Sequence, residues 1–295
     1  MRRVAISSTH LDHLMNRSKL IPDEPYHVVH EDEPDGHGGT AKTTTVFLTV
    51  STCPIGCNMC DLHRNTLPYP TETGAVPRQI QHAVAGVHPD WIKLYNSGNF
   101  FDPRSIPPSD YQAIAELCQP YDRVIVENHP RFGQHRLREF LDYLPSQLEI
   151  AVGLETVQPR WLQRLGKQMS RDDFDGYAKS ILTLGVDLRV FLILGVPGGS
   201  VKESIRWARL SVRHAIACGA RHISIIPARA GHGWGGQSDR LPTFSLEALS
   251  ELQDQLLTDA DQRAVITLDL WDLESDAPLK SKLEYANLDQ NHHRS

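Results

Sequence analysis

From residue 45 onward the chain repeats one pattern, in which a short β-branched apolar run is followed by a longer amphipathic stretch. Strands and helices in this order are typical of βα units around a parallel sheet. Strands are predicted at residues 45–50, 91–96, 123–128, 148–155, 188–194 and 222–227, with a possible seventh at 265–271. Helices are predicted near residues 77–87, 109–118, 133–143, 170–184, 200–217 and 245–258. The pattern predicts an α/β fold, either a doubly wound sheet or an incomplete β/α barrel.

Composition divides the chain into three parts. Residues 1–44 are rich in His, Asp, Glu, Pro and Gly, and this polar segment predicts an extended or partly ordered N-terminal arm. Residues 45–230 carry the βα repeat and are expected to form one barrel-like core. Residues 231–295 add a loop over the open end, a helix, the possible extra strand and an acidic tail.

Charge and hydropathy exclude some classes of partner. The net charge is -6, with 30 Lys and Arg against 36 Asp and Glu, which argues against a generally cationic binder. No segment approaches the apolar length of a membrane span or of a signal-peptide core, so we expect a cytoplasmic protein without membrane contact. Residues 160–229 are nevertheless basic and residues 245–295 acidic. The basic tract would suit a polyanion such as tRNA, although helices outside a barrel are commonly charged as well.

Three of the five cysteines, in CxxxCxxC spacing, follow the first predicted strand on a loop that contains Pro and Gly: Cys53, Cys57 and Cys60. This odd, clustered set does not suggest a disulfide framework. With His63, the thiolates would make the structural zinc site of an interaction protein, but such sites usually use two separated ligand pairs. Alternatively, the three cysteines alone would bind a [4Fe–4S] cluster and leave one iron without a protein ligand. We favour this second interpretation. Cys118 and Cys218 fall in predicted helices and are expected to be buried apolar residues.

A CxxxCxxC motif at the end of the first strand of a βα repeat resembles the radical S-adenosylmethionine (SAM) superfamily. The ends of the next strands resemble the branch that includes oxygen-independent coproporphyrinogen oxidase, the elongator catalytic subunit and the methylthiotransferases. The matching residues are Ser97, Gly98 and Asn99, then Glu127 of VENHP, then Gly153, Leu154 and Glu155 with Leu165, Gly166 and Lys167, and then Gly195, Val196, Pro197 and Gly198. The resemblance covers residues 45 to about 230.

This resemblance implies a partial (β/α)6 barrel of the radical SAM type with a C-terminal extension, and an active site at the carboxyl ends of the strands. It implies that the three cysteines bind a [4Fe–4S] cluster and that SAM is cleaved reductively to a 5′-deoxyadenosyl radical, which abstracts hydrogen from a substrate. An electron donor such as flavodoxin or ferredoxin is implied as partner. The substrate is left open between a small molecule, a peptide and tRNA. The CNMC run and the NSGNFFDP turn are similar to the archaeosine-synthase radical subunit, which implies tRNA-base lysis as an alternative function.

The resemblance also implies which residues contact SAM: Met59, Ser97, Gly98, Asn99, Glu127, Glu155, Lys167, Ile193 and Gly195. Glu127 and Glu155 would accept hydrogen bonds from the amino or ribose hydroxyl groups, and Lys167 would pair with the methionine carboxylate. Lys167 stands where the family usually has Arg, so it keeps the charge but loses the bidentate fork. Met59 replaces the usual aromatic residue with a flexible thioether.

Some residues near these motifs have roles that the sequence does not decide. The segment GHGWGGQ, residues 231–237, contains GxGxxG but does not lead from a strand into a helix, so it predicts a mobile loop rather than a dinucleotide site. Arg229, His232 and Trp234 are candidates for substrate contact or for ordinary loop roles. His129 is a candidate proton donor or a helix-start residue.

Overall fold

The computed structural model describes residues 20–230, 233–270 and 277–290. In these ranges eight strands form one sheet: β1 His27–Pro34, β2 Thr40–Leu48, β3 Trp91–Asn96, β4 Arg123–Glu127, β5 Gln147–Glu155, β6 Asp187–Leu194, β7 Ala220–Pro227 and β8 Val265–Leu268. The strands lie side by side in chain order. β1 is antiparallel to β2, and β2 to β8 are all parallel. The sheet curls into an open partial barrel, which confirms the predicted fold class.

The same ranges contain eight α-helices: α1 Ala75–Ala83, α2 Tyr111–Cys118, α3 Gln134–Leu141, α4 Pro159–Leu165, α5 Arg171–Thr183, α6 Val201–Ala217, α7 Leu246–Ala260 and α8 Ala277–Leu288. α6 begins with a capping box, in which the Ser200 side chain accepts from the Glu203 N–H and the Glu203 carboxylate accepts from the Ser200 N–H. Of the helices in the described ranges, none combines the length and the apolar character that crossing a membrane would require.

All six predicted strands are present as β2 to β7, and the possible seventh is β8. The six predicted helices correspond to α1, α2, α3, α5, α6 and α7, whereas the short helix α4 was not predicted. Within the predicted acidic tail, residues 277–288 form α8, a helix that the sequence analysis did not include. The division of the chain into arm, core and extension stays a prediction.

The prediction for the N-terminal segment needs a correction. Residues 27–34 form β1, and β2 begins at residue 40 rather than 45. The segment HVVHEDEP has too little apolar character to be recognised as a strand. It is stable as a strand because it pairs along its full length with β2 at the edge of the sheet, where polar side chains are tolerated.

The outer faces of the parallel strands form the main core with the helices. Alternate residues along the strands are completely buried there, among them Leu94, Val126, Val152, Val190 and Ile223. Each such side chain stabilises the fold by about 1.5–3 kcal/mol relative to an exposed one. The core therefore lies outside the barrel wall, and the residues between these positions point into the lumen.

The lower lumen, toward the amino ends of the parallel strands, is filled by charged side chains. Four cations and four carboxylates of the described residues pair there: Lys93, Arg123, Arg189 and Arg221 with Glu31, Glu33, Glu149 and Asp187. The Glu149 carboxylate lies at the centre and accepts from three arginines, at 3.2, 3.0 and 2.7 Å. Buried charges are tolerated only when they are paired and hydrogen-bonded. This ionic floor closes the barrel at its lower end.

Candidate active site at the open end of the barrel

The loop that carries the three cysteines follows β2 at the upper end of the barrel. Its two ends are joined, because the Thr52 N–H donates to the Leu67 carbonyl at 3.1 Å and the Leu67 N–H donates to the Val50 carbonyl at 2.8 Å. Cys53, Cys57 and Cys60 are all partly exposed. The loop base is therefore fixed, and the three cysteine side chains remain accessible from solvent.

The middle of the cysteine loop is held against the junction between α4 and α5. The Asn58 N–H donates to the Leu165 carbonyl at 2.9 Å, and the Asn58 Nδ2 donates to the Arg164 carbonyl at 2.8 Å. The Gln168 Nε2 donates to the Ile55 carbonyl at 2.7 Å. The second cysteine of the motif lies between these anchored positions, so its place in the loop is determined by α4, far away in the sequence.

Asn99, one of the predicted SAM contacts, is directed at a cysteine. Its side chain is almost fully buried, and its Nδ2 lies 3.2 Å from the Cys53 Sγ. Its Oδ1 accepts from the His129 N–H at 2.8 Å. An amide donor at this position stabilises a thiolate, so Asn99 would favour the deprotonated form of the first cysteine of the motif.

The two residues before Asn99 also pack closely around the cysteine loop. The Ser97 Oγ lies 3.2 Å from the Tyr26 hydroxyl. A Cβ added to Gly98 would lie 2.6 Å from the Ser105 Oγ and 3.3 Å from the Ser51 carbonyl oxygen. Glycine at position 98 therefore allows the turn after β3 to approach the start of the cysteine loop.

The end of β5 brings a carboxylate into the site through an irregular backbone. Glu155 has a φ of 64°, which is unusual for a residue with a side chain, and the register with β6 shifts between Gly153 and Glu155. Such a conformation costs about 1–3 kcal/mol and persists only where the surroundings hold it. The Glu155 Oε1 accepts from the Lys167 Nζ at 2.6 Å, and a Cβ at Gly153 would overlap both atoms. Glycine at position 153 thus makes room for this ion pair.

The ion pair lies beside the cysteines and affects their protonation. Burial lowers the pKa of Lys167, but the negative charge of Glu155, which also accepts its hydrogen bond, raises it more, so the net shift is upward and Lys167 is charged. Burial raises the pKa of Cys57 and raises that of Cys60 to about 12. At neutral pH these thiols therefore keep their protons, and a metal ion that bound them would have to displace those protons.

Glu127, at the end of β4, is a second carboxylate in the site. Its Oε2 accepts from the Asn96 N–H at 3.0 Å. Burial raises the pKa of Glu127 to about 7, although that hydrogen bond and the charge of Lys167 both favour the carboxylate. This residue therefore changes between its neutral and charged forms near physiological pH.

His129 connects β4 to the Lys167 backbone. Its Nε2 lies 2.9 Å from the Lys167 carbonyl, and its Nδ1 lies 3.2 Å from the Arg131 N–H. The first partner accepts and the second donates, which assigns the neutral ring with its proton on Nε2. Burial lowers the pKa of His129 to about 4, and the charge of Lys167 adds to the shift. Both ring nitrogens are engaged, so the structure favours a structural role over proton donation.

An apolar wall lies beside the cysteine loop. Met59 and Ile193, both predicted SAM contacts, pack against one buried cluster: Trp161, Leu165, Val196 and Trp234. Gly195 has a φ of 99°, and a Cβ there would lie 2.8 Å from Pro242. The end of β6 and the turn that follows it are therefore packed closely against the chain after β7.

The residues after β7 show packing roles. Trp234 is buried, and its Nε1 donates to the Arg229 carbonyl at 3.1 Å. The Arg229 Nη2 pairs with the Asp269 Oδ1 at 3.1 Å. His232 lies outside the described residues. Of the two described candidates for substrate contact, Trp234 is part of the apolar cluster and Arg229 is part of an ion pair.

Above the ionic floor the lumen is open. The inward side chains there are partly exposed, in contrast to those of the outer faces: Phe47, Tyr95, Phe191, Ser224, Ile226 and Thr267. Tyr95 and Phe191 meet edge to face with centroids 5.9 Å apart, and the Ser224 Oγ lies 3.1 Å from the Thr267 Oγ1. A lumen lined by both apolar and hydroxyl side chains suits a ligand that has both apolar and hydrogen-bonding groups.

Several residues around the site were not among those predicted from the sequence. Tyr26 lies in the segment read as a polar arm. Asn58 and Gln168 act through backbone partners more than 100 residues away, for which the sequence contains no local signal. The lumen residues had a signal, since polar or aromatic side chains alternate with aliphatic ones along the strands.

Comparisons with known proteins agree with this architecture. No protein-family model matches the chain. An uncharacterized protein of Methanocaldococcus jannaschii is 22% identical over 237 residues, which is 75% of this chain and 65% of the relative. Methylornithine synthase (PylB) matches with a TM-score of 0.61 and 15% identity, over 83% of this chain and 69% of that one. SuiB of Streptococcus suis bound to S-adenosylmethionine matches with a TM-score of 0.56 and 14% identity, over 79% of this chain and 53% of that one.

A third structure, Elp3 of the archaeon Methanocaldococcus infernus, matches with a TM-score of 0.51 and 14% identity, over 82% of this chain and 62% of that one. The chain thus spans about half of SuiB and under two thirds of Elp3 and of the curated relative. At these identities the likeness is one of fold. The fold is that of radical SAM enzymes, as the sequence resemblance implied.

Proposed function

We propose that the protein is a radical SAM enzyme, in which Cys53, Cys57 and Cys60 bind a [4Fe–4S] cluster. The observation that carries this proposal is the set of three partly exposed thiols on one anchored loop, at the carboxyl end of the first parallel strand of a radical SAM fold. When bound, the cluster supplies the electron that cleaves SAM to methionine and a 5′-deoxyadenosyl radical, which abstracts hydrogen from the substrate. Because the motif has three cysteines, one iron is left for SAM.

The residues around the thiols fit such a group. The Asn99 amide donates to the Cys53 sulfur, which stabilises the thiolate that a metal requires. Lys167 adds a positive charge beside the other sulfur ligands, where bound thiolates and sulfides accumulate negative charge. The loop is held at its base and at its middle by hydrogen bonds, which limits the movement of the backbone that carries the three ligands.

We assign the SAM site to the surrounding strand ends. Glu127 and Glu155 offer carboxylates for the amino and ribose hydroxyl groups, and Lys167 offers a cation for the methionine carboxylate. Lys167 and Glu155 already form an ion pair, so we propose that both contact SAM. Glu155 would accept hydrogen bonds from SAM, and Lys167 would donate to it. The turn formed by residues 97–99, together with the wall of Met59, Ile193 and Gly195, completes the proposed site.

The open upper lumen supports a small molecule or a peptide side chain as substrate. A substrate there would lie between the strand ends and the ionic floor, which closes the other end. SuiB, which shares the fold, is described as bound to its precursor peptide. The tRNA alternative rests on the basic tract, of which Lys179, Lys202, Arg206 and Arg213 are exposed on α5 and α6, and Arg160 and Arg164 are exposed on α4, beside the cysteine loop. The electron is proposed to come from a flavodoxin or ferredoxin.

Anaerobic reconstitution with iron and sulfide tests the proposal. The protein is expected to bind one [4Fe–4S] cluster per chain and, after reduction with dithionite, to convert SAM to 5′-deoxyadenosine and methionine. The products are measured by chromatography, and the cluster by iron and sulfide analysis and electron paramagnetic resonance. Recovery of one zinc ion at the cysteine motif, with no sulfide, would reject the enzyme in favour of a zinc-stabilised protein.

The affinity for SAM is expected to rise with pH as Glu127 loses its proton, because the charged carboxylate accepts hydrogen bonds more strongly than the neutral acid does. The change should centre near the pKa of about 7. A Glu127→Gln variant should lose this pH dependence and bind SAM at least about tenfold more weakly at high pH, which corresponds to one lost charge-assisted hydrogen bond. Equilibrium binding of SAM to the reconstituted protein over a pH series measures both effects.

Glu139→Gln, an exposed position on α3, is the matched control and should keep the wild-type affinity and its pH dependence. An unchanged pH profile in the Glu127→Gln variant would show that another group is responsible.

A further inference from the structure

A second group of potential metal ligands lies outside the barrel, between α5 and α6. Asp175 is on α5, His214 is in the last turn of α6, and Cys218 caps the same helix. The His214 Nε2 lies 2.7 Å from the Asp175 Oδ1, and the Cys218 Sγ lies 3.5 Å from that oxygen and 3.6 Å from that nitrogen. All three side chains are partly buried. Cys218 is therefore not the buried apolar residue that the sequence predicted.

The distances agree with those around a single tetrahedral ion. With ordinary zinc bond lengths, sulfur would lie about 3.5 Å from the oxygen ligand and about 3.6 Å from the nitrogen ligand, and these two would be about 3.3 Å apart. Both sulfur distances match. The nitrogen and oxygen are closer than this because the imidazole now hydrogen-bonds to the carboxylate, and an ion between them would replace that proton.

The residue types select the kind of ion. A thiolate and an imidazole are poor ligands for Mg²⁺ and Ca²⁺, which prefer oxygen, and good ligands for Zn²⁺. The charges of Asp175 and of a Cys218 thiolate would together neutralise a divalent ion. The neighbouring cations, Arg171 and Lys179, would then face a neutral centre. His214 and Cys218 are four residues apart, which places both on one face of α6.

The site is accessible and leaves room for a fourth ligand. It opens into a surface depression lined by Asp175, Lys179, Leu182, Thr183, Ala217 and Cys218. The exposed fractions of the side chains are 38% for Asp175 and 22% for His214, so an ion can enter from solvent. The open position would be filled by water, as at zinc sites with three protein ligands.

We propose that Asp175, His214 and Cys218 form a zinc site that joins α5 to α6 on the outside of the barrel. This inference does not depend on the proposed function, because none of its ligands belongs to the cysteine motif. Its effect would be on stability, since an ion that binds only the folded chain stabilises it in proportion to the logarithm of its free concentration.

The first test uses the reconstituted full chain. After equilibration with one equivalent of Zn²⁺ and removal of unbound metal, the wild type is expected to retain about one zinc per chain. The His214→Gln and Cys218→Ala variants should each bind zinc at least about tenfold more weakly, the effect of disturbing even a residue that supports a metal ligand. Their iron and sulfide contents should equal those of the wild type. His82→Gln, an exposed histidine on α1, should behave as the wild type.

The second test separates this site from the cysteine motif. In the full chain with Cys53, Cys57 and Cys60 replaced by alanine, Co²⁺ should give the thiolate charge-transfer band and the visible bands of a tetrahedral site. Adding Cys218→Ala should remove the charge-transfer band. Absence of that band, or its persistence without Cys218, would overturn the zinc site. Because no cluster can form in this background, the outcome is separate from that of the proposed enzyme.

Discussion

A Cys57→Ala variant is expected to lose the iron–sulfur cluster and all reductive cleavage of SAM. The remaining motif would offer two thiolates, which is too few to hold a cluster that already has one open iron. Asn58 and Ile55 hold the loop through backbone bonds that do not involve the Cys57 side chain, so the fold should be retained. Iron and sulfide content after reconstitution and the yield of 5′-deoxyadenosine measure the effect, and both should fall to background.

Cys118→Ala is the matched control for the loss of a cysteine. Cys118 is completely buried in the main core, and burial raises the pKa of its thiol to about 12. Its replacement removes one buried sulfur atom and should lower the free energy of unfolding by about 1 kcal/mol while keeping the cluster. If Cys57→Ala kept a cluster with unchanged iron content and product yield, the assignment of the three cysteines would be wrong.

The sequence was sufficient for the features that depend on local pattern. Apolar runs with β-branched residues located seven of the eight described strands, because the outward side chains of the parallel strands are buried under the helices and recur at every second position. The cysteine spacing located the loop after β2, and capping residues located the start of α6. α4 has only seven residues, too short for helical periodicity, although Pro159 at its start and Gly166 at its end are typical boundary signals.

Features that depend on distant pairing could not be predicted. The Arg189 guanidinium binds the Glu33 carboxylate across 156 positions of sequence, and nothing local to either residue indicates the other. The polar composition of β1 hid its pairing with β2. Asp175 and Cys218 each have an ordinary helical environment in the sequence, and only the packing of α5 against α6 brings them together. At the candidate site the sequence indicated the residues, while their partners, such as Asn99 with Cys53, required the fold.

Replacement of Glu149 at the centre of the ionic floor should produce a large loss of stability. Glu149→Gln keeps the shape of the side chain but removes the charge that pairs with Arg123, Arg189 and Arg221. Breaking a buried ion pair by neutralising one partner costs about 3–5 kcal/mol, because the remaining charges stay buried. Urea unfolding at neutral pH, followed by circular dichroism, measures the difference. Glu139→Gln on the exposed face of α3 should stay within about 0.5 kcal/mol of the wild type.

The pH dependence of the stability difference between the wild type and Glu149→Gln identifies the cause of that difference. Burial alone would raise the pKa of Glu149, but the arginines Arg189, Arg221 and Arg123 lower it more, from its usual 4.5 to about 2. A carboxylate whose pKa is lower in the folded chain contributes its full stability above pH 4.5 and loses it as the pH falls toward 2. The gap between wild type and Glu149→Gln should therefore narrow over this range. A stability difference that is the same at every pH would instead indicate lost packing. A difference below about 1 kcal/mol at neutral pH would show that the stability of the ionic floor does not depend on the charge of Glu149.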